Sequence, residues 1–422
     1  MALLLVVLVL LHFAAGAGAG AEPPRSPATA LFVLGDSTVG CAATANLTTA
    51  TTALPSSLSG GPCLFFPDAR RRLPDLLAAR MGLPSPPPIS ALNGTASEAA
   101  RGVNFGGGGG GQLFYYGGGE RGSSPSSVFR LGAVGQQVRL ASETLQLLQL
   151  EAAAPGEWES APAAAAAVFV LSFGADAYAR LLARGPAEAD AAAPKHGRRG
   201  FARLLADRVA RAVSVRTVFS FAAARGTRFD ARHVARPVVV VVVVWVQELY
   251  EAGVRRVAVM GVPPLGCAPR VMWERIPARD GGCVEEANEL IEAYNGRLAA
   301  RLDDLRPQLA GAHVVFCDVY KGMMQIISNP GTYGLEETRE ACCGLGPLRA
   351  TVGCVSKEMA CATPERHVWW DLYSPTEAAD ALLANWSWTS SSDSGAAAGA
   401  TSICGPISLQ QLAGTSSPPV EV

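Results

Sequence analysis

The 422-residue chain is 49% hydrophobic and 17% charged, with a formal net charge of −1. Such a chain can bury a sizeable core, and its charge balance excludes the basic footprint of a nucleic-acid binder. Apolar runs of strand length alternate with helical periods, which favours one large α/β unit over several small domains.

Residues 1–21, MALLLVVLVLLHFAAGAGAGA, join an apolar core to small residues suited to a cleavage site. They read as a secretory signal peptide, although the charged leading region is missing. Beyond them no segment reaches the ~20 apolar residues that a transmembrane helix needs. Secretion agrees with ten cysteines, an even count that suggests disulfides in an oxidising compartment. Cys267 and Cys283 flank one loop, and Cys342, Cys343, Cys354 and Cys361 cluster near the C-terminus. Zinc is the rival for that cluster, but its spacing fits paired C-x₂-C ligands poorly. Asn46-Leu47-Thr48, Asn93-Gly94-Thr95 and Asn385-Trp386-Ser387 are glycosylation acceptors usable in the secretory pathway.

The folded domain is expected over 29–413, followed by a disordered tail at 414–422. Its first element is the apolar run Ala30–Leu34, the pattern of a strand covered on both faces. It leads into Gly35-Asp36-Ser37, which places Ser37 at the carboxyl end of a strand, where open α/β sheets hold their ligands. A serine nucleophile there needs a base, a group to orient the base, and donors for an oxyanion. Arg101–Phe105 is a short second strand, followed by six glycines, Gly106–Gly111. Bare backbone of that kind lets N–H groups approach a reacting oxygen, and it is equally the composition of a flexible loop. Val138–Leu150 is an amphipathic helix, and Val168–Phe173 a third strand that ends in Gly174-Ala175-Asp176-Ala177.

Gly200–Ser214 has a helical period, which then collapses into residues 215–247, a segment with seven consecutive valines, Val238–Val244. Joining Ser214 directly to Glu248 lets the apolar period run on through Leu249 to a stop near Gly253. A valine codon begins with GT and a glutamine codon can end with AG, so the segment has the ends of an unspliced in-frame intron. It reads as a retained intron or gene-model error in preference to a real insertion.

Arg256–Gly261 is a fourth strand, Val284–Leu305 a long helix with one apolar stripe, and His313–Cys317 a fifth strand. The expected fold is a single-domain, doubly wound, parallel five-stranded sheet with helices on both faces. Ser374-Pro375-Thr376-Glu377 has the pattern of a capping box, with Ser374 at the N-cap of the last helix.

The ordered set FVLGDS, GVNF with its glycines, GVPPLGCAPR, YGLEETREACCGLG, WWDLYSPTEAAD and GPISLQQLA resembles the plant GDSL esterase/lipase family of SGNH-type hydrolases. The resemblance runs from about Ala30 to Leu412, apart from 215–247, and implies a flavodoxin-like fold. It makes Ser37 the nucleophile, places an oxyanion-hole glycine at Gly108 or Gly109, and makes Asp371 the acid of an Asp-x-x-His pair. The position matching the catalytic histidine is Ser374, whose hydroxyl cannot serve as a general base near neutral pH. The position matching the oxyanion asparagine is Asp176, which offers only acceptors when ionised. Of the five histidines, His12, His196, His233 and His313 lie away from these motifs. His367, four residues before Asp371, is a remote substitute.

Two readings follow. One is a secreted, extracellular serine esterase of the cell wall or apoplast, feebly active on acyl or acetyl esters of a lipid, glycan or small metabolite. The other is an inactive relative that binds an ester-bearing or glycan ligand. Neither implies a metal, a cofactor or a nucleic-acid partner, and the sequence sets no oligomeric state.

Overall fold

The structure, a computed structural model, describes residues 26–40, 71–92, 95–106, 132–152, 164–183, 236–274, 282–354, 357–390 and 402–414. The expected leader, Gly108, Gly109, the helix at 200–214, residues 215–235, the acceptors Asn46 and Asn93, and the tail beyond 414 lie outside them.

Four parallel strands form the centre: β1 (Leu31–Gly35), β2 (Val168–Ser172), β3 (Arg256–Met260) and β4 (His313–Cys317), paired in that spatial order. Every residue of β1, β2 and β3 is buried, which is why each reads as a continuous apolar run instead of an alternating one. Phe32 stacks on Phe169 across the first pair, with ring centroids 4.9 Å apart.

The sheet differs from the expected one in two respects. Arg101–Phe105 follows the free edge of β1, through Val33 N to Val103 O at 2.9 Å and Phe105 N to Val33 O at 2.8 Å, but only Asn104 forms a strand bridge. Gly102 is the reason. Its φ of 123° departs from strand geometry, and a Cβ there would lie 1.9 Å from the Leu31 carbonyl oxygen. The fifth strand of the sheet is instead β7 (Cys404–Gly405), antiparallel to β4. Two further strands, β5 (Glu337–Ala341) and β6 (His367–Trp369), pair separately. The chain therefore leaves β1, lies along its outer edge, and returns on the other side as β2. Ser37 thus follows the carboxyl end of β1 next to this reversal of chain direction, the place where open sheets hold their ligands.

Helices surround this sheet: α1 (Leu73–Arg80), α2 (Gly132–Ala152), α3 (Ala175–Ala183), α4 (Arg236–Glu251), α5 (Glu285–Leu305), α6 (Val319–Ser328) and α7 (Glu377–Trp388). Along α5 the stripe Ala287, Ile291, Tyr294, Leu298, Leu302 and Leu305 is buried as its period requires. Helix α2 buries Val138, Leu145 and Leu148, while Leu150 is 70% exposed, so its stripe stops a turn before its end. Helix α4 contains all seven consecutive valines and crosses the 247/248 boundary. Val242, Trp245, Val246 and Leu249 are buried at i, i+3, i+4 and i+7, and Trp245 meets Phe173 at 4.9 Å between ring centroids. The helical period of burial overrides the strand preference of a valine run.

Among the described residues, four disulfides join Cys267 to Cys283, Cys317 to Cys404, Cys342 to Cys361 and Cys343 to Cys354. The sulfurs of the C-terminal cluster are thus bonded to one another, which consumes the thiolates a zinc ion would need. Asn385 lies inside α7 and its acceptor serine, Ser387, is buried with its hydroxyl donating to Leu383 O at 2.7 Å, a poor setting for a glycan.

Candidate active site

The turn after β1 is held by groups on several elements. Asp36 N donates to Ser172 O at 3.0 Å, so the chain leaves β1 still tied to β2. The Asp36 carboxylate then takes four hydrogen bonds. Oδ1 accepts from Thr38 N at 3.2 Å and Thr38 Oγ1 at 2.7 Å, and Oδ2 from Gly174 N at 3.0 Å and Asp176 N at 3.1 Å. The last two donors are at the N-terminus of α3, where unpaired amides and the helix dipole favour a negative group. Gly174 makes that approach possible: its φ is 118°, and a Cβ there would lie 3.0 Å from Val262 Cγ2.

Ser37 is thereby aimed at α3, and its hydroxyl donates to Asp176 Oδ1. Its backbone N–H points at Asp176 Oδ2, at 3.4 Å. The expected oxyanion position therefore holds a carboxylate that engages both the hydroxyl and the amide of the candidate nucleophile. Burial, and after it the charge of Asp176, push the Asp36 carboxyl from its ordinary 3.8 up to about 6.

The raised value is also a statement about stability. Between pH 3.8 and about 6 the folded state holds more protons on Asp36 than the unfolded state, so this group's contribution falls as pH rises through that window. The full effect is on the order of 2–3 kcal/mol. Urea unfolding of the wild type and Asp36→Asn at acid and neutral pH checks this. The wild type is expected to lose more stability than the variant on going to neutral pH, and equal losses would remove the attribution.

Asp371 lies in the loop between β6 and α7. Its Oδ1 accepts from Tyr373 N at 3.0 Å and Ser374 N at 2.7 Å, so it organises its own loop. Ser374 is not the helix cap that its sequence context suggests. Thr376 holds that position, its Oγ1 accepting from Ala379 N at 3.2 Å and donating to His367 O at 2.6 Å. A bridge between Trp369 and Pro375 and the bond from Thr376 N to Val368 O keep the chain extended past Ser374, so the helix starts later. His367 opens β6 with Nδ1 placed 3.0 Å from Thr363 O and 3.6 Å from Cys361 Sγ, partners that belong to the disulfide region.

Arg72, immediately before α1, links the two halves of the site. Its Nη1 donates to Ser37 O at 2.6 Å and Gly40 O at 2.9 Å. Burial pulls the guanidinium below its ordinary value, opposed by Asp371, Asp380, Asp75 and Asp176. It is a cation bonded to Ser37 and acted on by the charges of Asp176 and Asp371, and nothing in its sequence setting among Arg70, Arg71 and Arg72 marks it out.

The family model of GDSL-like lipases/acylhydrolases matches residues 31–387. The chain belongs to that family. Among its relatives, GDSL esterase/lipase At2g30220 of Arabidopsis thaliana is 36% identical over 141 residues, which cover 33% of this chain and 39% of the relative. GDSL esterase/lipase EXL3 of the same plant is 40% identical over 136 residues, 32% of this chain and 36% of the relative. GDSL esterase/lipase At5g08460, also from Arabidopsis thaliana, is 36% identical over 168 residues, 39% of this chain and 41% of the relative. The chain thus spans about two fifths of the length of the curated relatives it matches.

In this GDSL-family chain two further side chains fix the turn and were not legible beforehand. Gln137, buried on α2, accepts from Gly35 N at 2.9 Å and donates to Gly35 O at 3.0 Å, replacing a strand partner just ahead of Asp36 and Ser37. Asn104 donates to Val39 O at 2.7 Å and accepts from Gly106 N at 2.8 Å, fixing the entry to the glycine run. A cavity of about 580 Å³ lined by Asn295, Phe316, Tyr320 and Met324 contains none of the residues of this site.

Proposed function

We propose that the protein is a secreted GDSL-type esterase that cleaves acyl or acetyl esters through Ser37, with turnover far below that of a full triad. The observation that carries this reading is the Ser37 hydroxyl, at the carboxyl end of β1, donating to an acceptor-only carboxylate. Membership of the GDSL-like lipase/acylhydrolase family supports ester chemistry as the class. Loss of a triad base costs on the order of 10⁶ in turnover, and an absent oxyanion donor another ~10²–10³, without simple multiplication. What remains is on the order of 10³ over water. Small-molecule, lipid or glycan esters are the substrate class. Secretion rests on the apolar run at 1–21 and on the disulfides among the described residues, which persist in an oxidising compartment.

The second reading, an inactive ligand-binding relative, is favoured by Ser374 at the base position and by an Asp371 carboxylate occupied with its own loop. Purified protein assayed on p-nitrophenyl acetate and butyrate beside Ser37→Ala separates the two. Activity that disappears in the variant is expected. Equal rates in both proteins would leave the binding reading.

A further inference from the structure

We propose that Asp176 is the proton acceptor for Ser37, replacing the base that position 374 does not supply. The inference deepens the esterase reading and rests on it. The Ser37 hydroxyl already donates to Asp176 Oδ1. The carboxylate is held in place because its own backbone N–H is bonded to Asp36 Oδ2 at 3.1 Å and its Oδ2 faces the Ser37 amide at 3.4 Å. A carboxylate that accepts a hydroxyl proton as the oxygen attacks is ordinary general-base chemistry when the two groups are in contact.

The steps balance without any further reagent. Ser37 Oγ forms a bond to the ester carbonyl carbon while its proton passes to Asp176 Oδ1. The tetrahedral species collapses, the bond to the leaving oxygen breaks, and the same proton passes to that oxygen to give the alcohol. Water then attacks the acyl-serine carbon and gives a proton to Asp176. As the carboxylic acid leaves, that proton returns to Ser37 Oγ.

The same transfer answers the electrostatic objection to an aspartate at an oxyanion position. Once protonated, Asp176 carries no charge against the developing oxyanion and has an O–H to donate. It also removes one of two adjacent carboxylate charges, the other being Asp36, whose proton affinity Asp176 already raises. Among the described residues, the groups that feel this pair are Arg72 ahead of α1, Tyr373 from the loop before α7 and Tyr294 of α5, with Asp371 acting on Arg72 and Tyr373 in turn. Arg72 is the cation among these described groups. Its Nη1 donates to the Ser37 backbone carbonyl, which keeps a positive charge next to the residue that carries the nucleophile.

The test is kinetic, on the full chain, with p-nitrophenyl acetate. Wild type, Ser37→Ala, Asp176→Asn and Asp176→Glu are compared from pH 4 to 9, with circular dichroism melts on each. Asp176→Asn is expected to lower kcat/KM by at least ~10²-fold with KM nearly unchanged. Asp176→Glu, which restores a carboxylate at that position, is expected to recover part of that loss. An Asp176→Asn variant as active as the wild type, or more active, overturns the inference while Ser37→Ala still reports on the esterase reading. If Asp176→Asn fails to fold, a folded Asp176→Ala variant as active as the wild type overturns it equally. Wild-type rates no higher than those of Ser37→Ala end both.

Discussion

The paired substitution Ser374→His with Asp176→Asn is expected to raise kcat/KM on p-nitrophenyl acetate by ~10²-fold or more over the wild type. The reason is local. Asp371 accepts from the backbone N–H of residue 374, so a ring nitrogen on the same residue has a carboxylate at hand to orient it. Asparagine at 176 puts a neutral amide donor where the carboxylate stands, at the N-terminus of α3 and against the Ser37 amide and hydroxyl. Ser374 is free for this exchange because Thr376, not Ser374, caps α7, so the ~1 kcal/mol of a serine cap is not at stake. The same Asp176→Asn change is expected to be harmful alone and helpful beside a histidine. That reversal of sign is the most discriminating outcome available. Diethyl pyrocarbonate is expected to abolish the gain. A double variant no faster than the wild type would place the defect in other parts of the site, with the glycine run at Gly108 and Gly109 the first place to look.

Deletion of residues 215–247 is expected to give a protein that folds cooperatively and is recovered in higher soluble yield than the full chain. With Ser214 joined to Glu248, the positions seven, four and three residues before Leu249 become Val209, Ala212 and Val213. In the intact chain those positions are Val242, Trp245 and Val246, all buried. The apolar period therefore survives the deletion, and the one substantial change is Trp245 giving way to Ala212 beside Phe173. A large-to-small change of that kind costs up to ~3–5 kcal/mol in a core that cannot relax. Against it stands the removal of a valine run with the composition of an aggregation-prone segment. Thermal melts and soluble yields of both forms measure the balance, and sequencing the transcript across the junction tests the origin of the segment. An insoluble deletion protein together with uniform inclusion in the message would make 215–247 a genuine part of the fold.

Much of the architecture follows from one-dimensional signals. The strands at Leu31, Val168, Arg256 and His313 are announced by short apolar runs, since a strand buried on both faces has no polar positions to alternate. The stripe along α5 is equally plain because its burial follows the 3.6-residue period. The edge of the sheet was less legible. Arg101–Phe105 has the right composition for a strand, but Gly102 sits against the Leu31 carbonyl in a conformation that composition does not disclose. Likewise a two-residue antiparallel strand at Cys404–Gly405 is too short to have a period. The capping pattern at Ser374 misled because it is a local signal, and a bridge between Trp369 and Pro375 delayed the helix beyond it.

The sequence by itself determined which residue types are present where the chemistry would occur: Ser37 after an apolar strand, Asp371 three residues before Ser374, and no histidine at that second position. That a hydroxyl cannot act as a general base near neutral pH is a property of side-chain chemistry and needs no coordinates. Only the tertiary structure decided what those residues do to one another. Ser37 and Asp176 meet because β1 and β2 are neighbours whose carboxyl ends open together, although 139 positions separate the two residues. Arg72 is buried among carboxylates contributed by four separate segments, and Gln137 completes the hydrogen bonding of Gly35 from 102 positions away. Contacts of that kind arise from how layers pack. Hydrophobic periodicity fixes each element's buried face but says nothing about which polar side chains then converge at the end of the sheet.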